Sequence, residues 1–110
     1  MRSKFVTISA SGKSNPIPLD RYVNGYAIGV TMRTAGVNYT LQYSMDRLDA
    51  HANYGTSAQW FNCDDPLLVN ASTNRSTNFA YPPFAVRVNA SAGVSAGNPL
   101  TLSINPMGAM

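Results

Sequence analysis

The sequence predicts an all-β fold, a single compact β-sandwich (jelly-roll-like) spanning residues 1–110 and built from about eight short antiparallel strands. Three observations carry this. Large apolar residues recur with period two over most of the chain, and Gly, Pro, Asn, Asp and Ser interrupt that alternation at short intervals. All five acidic residues are Asp, so the Glu that most often pairs across a helix surface is missing.

Taken in chain order, residues 5–10 read as an edge-like first strand and residues 11–16 as a loop by composition. Ile17-Pro18-Leu19 is apolar, but its proline restricts it to a short edge segment. The strongest unit follows: Tyr26, Ile28, Val30 and Met32 alternate with small or polar residues, residues 34–37 turn the chain, and Tyr39, Leu41, Tyr43 and Met45 alternate again. Two arms of this kind joined by a glycine-bearing turn predict a β-hairpin.

Residues 46–58 form the longest break, with Leu48, His51 and Tyr54 among Asp, Asn, Gly and Ser. Residues 59–62 read as a brief strand that delivers Trp60, the sole tryptophan, to the core, and Cys63-Asp64-Asp65-Pro66 as a turn before the apolar island Leu67-Leu68-Val69. Residues 70–77 form a second polar loop, residues 78–81 a short strand ended by Pro82-Pro83, and residues 84–90 a strand with Phe84, Val86 and Val88 on one side. Residues 91–99 read as a hairpin loop leading to a last strand with Leu100, Leu102 and Ile104 in phase, and residues 106–110 as a frayed tail. No internal repeat is evident.

Charged residues make up 12% of the chain against the roughly 25% usual for soluble domains, so Ser, Thr, Asn and Gln supply most of the polar surface. Neutral polar groups cost less to desolvate than charges, which suits a chain lying against neighbours over much of its area. A domain this small buries only about two-thirds of its unfolded surface, and oligomerisation is expected to add to its stability. The net charge of +3 comes from eight scattered basic residues, which argues against a nucleic-acid partner. No apolar stretch approaches the ~18 residues of a spanning helix and no leader-like apolar core opens the sequence, so neither membrane insertion nor secretion is expected. A single cysteine rules out an intramolecular disulfide framework and fits synthesis in a reducing cytoplasm.

Residues able to do chemistry are few. His51 and Cys63 are each alone of their kind, and a zinc site of the usual type would need carboxylates to complete it. Neither Asp46 with Asp49 nor Asp64 with Asp65 stands in a calcium-loop pattern; Asp in these positions forms turns by bonding its own backbone. Gly12-Lys13-Ser14 lacks the first glycine and the helix of a phosphate-binding loop. The chain is therefore expected to be non-enzymatic, with no catalytic residue, no cofactor and no metal. Most aromatic residues fall on the apolar phase of a strand and read as core; Tyr22 and Tyr54, in loops, are the exceptions and candidate partner contacts. Phe5 and Thr7 join them as candidate partner-binding residues, because the first strand is apolar, weakly charged and without the usual edge protection. Pairing of that strand, or of the C-terminal strand, with a neighbour is expected, and Thr7→Pro is expected to abolish assembly without unfolding the monomer.

Ile17-Pro18-Leu19-Asp20-Arg21-Tyr22, Tyr26-Ala27-Ile28-Gly29-Val30, residues 38–46, Trp60-Phe61-Asn62 and residues 84–90 form a progression that resembles small virion proteins encoded beside phage major capsid genes, the bacteriophage capsid decoration (cement or staple) proteins. The likeness is one of pattern, without a catalytic motif, and runs from about residue 17 to residue 104. It implies a jelly-roll-like β-sandwich on the capsid exterior, a homodimer or homotrimer at a symmetry axis bridging subunits of the major capsid protein, made in the host cytoplasm. A carbohydrate-binding module on a virion or tail surface, using Tyr22, Tyr54 and neutral Asn side chains, is the alternative.

Overall fold

Alternation of large and small residues sorts the chain into strands whose large faces must be covered, and two stacked sheets cover them. The structure is a computed structural model that describes residues 3–19, 25–34, 36–45, 59–79, 83 and 85–107. Among the described residues the strands are β1 (Lys4–Ile8), β2 (Gly12–Lys13), β3 (Ile17–Pro18), β4 (Gly25–Met32), β5 (Asn38–Ser44), β6 (Phe61–Asn62), β7 (Arg75–Phe79), β8 (Ala85–Ala92) and β9 (Leu100–Met107), with a 3-10 turn at Pro66–Leu68. One sheet has the order β1-β9-β4-β7; in the other, β8 and β5 lie side by side, β2 and β3 both pair β8, and β6 pairs β5. Every pairing is antiparallel.

Counting β2 and β3 as one interrupted strand leaves eight positions, and these pair outermost with outermost: β1 with β9, β2 and β3 with β8, β4 with β7, β5 with β6. That nested order is a jelly roll, so the sandwich expected from the sequence is the fold.

The inner faces meet in one core. Ile28, Val30, Leu100, Leu102 and Ile104 of the four-stranded sheet face Tyr39, Leu41, Val86 and Val88 of the other, all essentially inaccessible to water. Each such aliphatic side chain contributes about 1.5–3 kcal/mol relative to exposure. Leu68, carried by the 3-10 turn, and Val37, in the crossing between β4 and β5, add to the same cluster.

Several expectations are corrected. The arms at β4 and β5 do not form a hairpin: β4 pairs with β7 and β9, while β5 pairs with β6 and β8. A hairpin would put both large faces on one side of one sheet, whereas crossing between sheets makes them cover each other. The hairpin loop expected over residues 91–99 is corrected likewise: Ser91 and Ala92 belong to β8, and residues 93–99 cross from one sheet to β9 in the other. Residues 12–13 are a strand rather than loop, held by β8, and Ser14 continues the attachment: its N–H donates to the Val88 carbonyl at 2.8 Å and its buried hydroxyl accepts from the Val88 N–H at 3.0 Å. The polar loop expected over 70–77 gives way to β7 at Arg75, and β9 runs on to Met107 where a frayed tail was expected.

Candidate functional site

Because strand side chains alternate, the outward phase of the four-stranded sheet follows from its register. Three rows cross it: Asn105, Ala27 and Asn78; then Phe5, Ser103, Gly29 and Ser76; then Thr7, Thr101 and Thr31. No charged residue belongs to any row. Side-chain hydrogen bonds tie the face to its first strand, Ser3 Oγ donating to Asn105 Oδ1 at 2.6 Å and the Thr7 and Thr101 hydroxyls sharing a bond of 3.0 Å. Ala27 and Gly29 leave a shallow trough of about 260 Å³ walled by Ser76, Asn78, Ser103 and Asn105. Gly29 is not required by the backbone or by crowding, since its φ is not positive and a Cβ there would meet nothing within 4 Å.

Phe5 and Thr7 both stand on this outward phase of β1, and Phe5 is 74% exposed. β1 is an edge of its sheet, and among the described residues no backbone hydrogen bond reaches it beyond the β9 ladder. The C-terminal strand, also expected to be free to pair, is not an edge: β9 lies between β1 and β4. On the other sheet one edge is broken into β2 and β3, with Pro18 within β3, while β6 pairs with only Gln42 and Tyr43 of β5. Short edge segments and prolines are the usual protection against strand addition. Between β1 and residues 15–18 runs a groove of about 420 Å³, lined by Phe5, Val6, Pro16, Ile17 and Pro18, with Lys4 Nζ donating to the Pro18 carbonyl at 3.4 Å across it.

The outer face of the second sheet is built differently. Arg87 points outward from β8 yet is only 4% exposed, because its guanidinium lies 4.1 Å from the centre of the Trp60 ring. Its Nε donates to Gln42 Oε1 at 2.9 Å, and Gln42 Nε2 donates to Asn62 Oδ1 at 3.0 Å, so one row of polar side chains crosses β8, β5 and β6. Burial works against the charge on Arg87. Trp60 thus caps a polar row outside the sandwich and does not join the core as expected; it is half-buried.

Tyr22 and Tyr54, with His51, Asp46 and Asp49, lie outside the described residues. Cys63 is buried, its N–H bonded to the Leu41 carbonyl at 2.8 Å, and burial pushes its thiol up, so it is held as a small apolar group. Asp65 caps the 3-10 turn by accepting from the Leu67 N–H at 3.0 Å, the turn-forming role expected of it. A second groove of about 480 Å³ adjoins Cys63, lined also by Tyr43, Asp64 and Phe79. Among the described residues no three His, Cys, Asp or Glu side chains converge as metal ligands.

Sequence reasoning named Phe5 and Thr7, which the structure places on the outward phase of an edge strand, and did not name Ser76, Asn78, Ser103 and Asn105 of the same face. The signal was present in the polar phase of each strand, but reading it as one surface needs the strand order. No protein-family model, no curated protein and no solved structure matches the chain.

Proposed function

We propose that the protein is a non-enzymatic structural component of a bacteriophage virion, decorating the capsid exterior and bridging major capsid protein subunits. One observation carries the reading: the outer face of the four-stranded sheet presents no charged side chain in its cross-strand rows and is built of Thr, Ser and Asn around Ala27 and Gly29, with Phe5 at its β1 edge. Such a face loses little solvation free energy when covered, whereas a charged one must find a partner for every ion. A capsid repeats identical sites, so a modest contact made by a dimer or trimer holds through effective concentration. The resemblance of the sequence to decoration proteins points the same way. The test is sedimentation with capsid shells lacking the protein. Co-pelleting at a saturable, lattice-related stoichiometry is expected, and its absence with the fold intact sinks the proposal.

The trough at Ala27 and Gly29 favours a second reading, a carbohydrate-binding module. Ser hydroxyls and Asn amides both donate and accept, as sugar hydroxyls do, and Phe5 stands in the same cross-strand row. Trp60 stands on the opposite face and is a poor reporter for such binding. Shifts of the Asn78 and Asn105 side-chain amide resonances with neutral oligosaccharides are expected on this reading, and unmoved resonances argue against it.

A further inference from the structure

We propose that an extended segment of a partner polypeptide, carrying alternate apolar residues and a carboxylate, adds to β1 as a fifth strand of the four-stranded sheet and seats an apolar side chain in the groove between β1 and residues 15–18. The inference rests on the attachment reading above and names its chemistry.

Three features converge on this edge. The outward N–H and C=O groups of β1 have no backbone partner among the described residues, and an extended chain is the ligand that satisfies such a row. Beside them Val6, Pro16, Ile17 and Pro18 line the groove together with Phe5 and the polar Ser3, Lys4 and Asn15, so the side chains of an added strand that point toward it meet a surface with an apolar centre. Pro16 and Pro18 have no N–H to offer, which directs the incoming backbone to β1 and leaves residues 15–18 as a wall.

Charge selects the partner further. Lys4 on β1 and Lys13 on β2 are exposed on this side of the sandwich. The acidic groups among the described residues, Asp64 and Asp65, line the groove beside Tyr43 and Phe79 at the opposite side. An ammonium bonded to one carbonyl keeps donors for a carboxylate.

A second copy of the chain fits poorly. Its β1 is embedded in a sheet and arrives with a second layer about 10 Å away, which would set the proline-bearing segments of both copies against each other and bring like-charged lysines together. A single extended segment meets neither obstacle.

The test starts from a proline scan. Phe5→Pro, Val6→Pro and Thr7→Pro are compared by thermal unfolding. Successive residues of an antiparallel edge strand point their N–H groups alternately inward and outward, so one phase unfolds early and the other keeps the native midpoint. A random linear-peptide library is then selected on the native protein. Enriched peptides that alternate apolar and polar residues, carry Asp or Glu, and lose roughly tenfold or more in affinity on the stably folded proline variant and on Lys4→Gln are expected. No enrichment, or equal binding to the edge-blocked variant, overturns the proposal. Should every proline variant unfold, amide exchange on the native protein decides: enriched peptides must slow exchange within β1, and protection confined elsewhere overturns it. Capsid shells separate this inference from the reading beneath it. Shells that take up the edge-blocked variant as well as the native chain overturn strand addition and leave attachment standing; shells that take up neither remove the attachment reading, and the peptide selection alone then decides strand addition.

Discussion

Gly93 stands against the carbonyl oxygen of Gly36: a Cβ built on Gly93 would lie 2.5 Å from that oxygen and 3.0 Å from the Val37 Cα. The two residues belong to the two chain segments that cross between the sheets, from β4 to β5 and from β8 to β9, and here those crossings touch. Both glycines hold left-handed backbone, with φ of +122° at Gly36 and +91° at Gly93. Asn98 fastens the same junction, accepting from the Thr34 N–H at 3.0 Å and donating to the Thr34 carbonyl at 2.8 Å.

Gly93→Ala is accordingly expected to destabilise the fold by about 1–3 kcal/mol, through left-handed strain and displacement of the Gly36 backbone. Gly29→Ala is the matched control: open space surrounds it, and removing a mid-strand glycine should leave stability unchanged or raise it by roughly 0.5 kcal/mol. Urea midpoints measure both. Equal effects from the two substitutions would show that the contact between the crossings does not matter.

That junction also explains what was legible in the sequence. Alternation located β4 and β5 nearly to the residue, because the large residues of each strand pack into or against the core, with Tyr26, Ile28, Val30, Tyr39 and Leu41 fully buried. It did not say whether the turn between them returns the chain within one sheet or across to the other, since glycines with positive φ serve both. β7 was half hidden because Arg75-Ser76-Thr77-Asn78 is a polar edge strand with no large apolar face until Phe79. β2 was hidden because β8 and the Ser14 hydroxyl hold it, not its own propensity. Of the candidate surface, Phe5 and Thr7 were legible as an unprotected first strand. The neutral face was not, because it is assembled from four strands that are distant in sequence and become neighbours only in the roll.

Removing Arg87 tests the polar row on the second sheet. In Arg87→Ala, Gln42 loses a charge-assisted partner and Trp60 loses the cation over its ring, a combined cost of about 2–4 kcal/mol. Since Trp60 is the only tryptophan, its emission should shift to the red in the folded variant as water reaches the ring. Unchanged emission and an unchanged midpoint would mean that the contact contributes nothing.

Alkaline pH should weaken the fold through Tyr39. Its hydroxyl donates to the Thr73 carbonyl at 2.7 Å, and burial pushes its pKa from 10.0 up to about 12, with Arg75 pulling the opposite way. A phenol whose folded pKa is raised contributes stability that is complete below the unfolded value of 10.0 and is lost as pH rises toward about 12. Tyr43, raised by burial and then by Asp64, acts in the same direction. Ultraviolet titration should therefore show a tyrosine ionising late, and Tyr39→Phe should flatten the upper part of the stability decline. A decline that is the same in Tyr39→Phe would assign it elsewhere.

Placing a charge at the centre of the neutral face separates attachment from folding. Ser103 lies between Phe5 and Gly29 in its row, on the outward phase of a central strand, so a long side chain there extends into solvent over open ground. Ser103→Lys should change stability by no more than about 0.5 kcal/mol, as surface substitutions usually do. On a covered face the same ammonium must be desolvated without a built partner, which weakens binding by roughly tenfold or more at each site and further across a multivalent contact. Co-sedimentation with capsid shells should then fail while circular dichroism and the unfolding midpoint stay native. Retained binding by a folded Ser103→Lys protein would move the attachment surface off this face and onto the β1 edge alone.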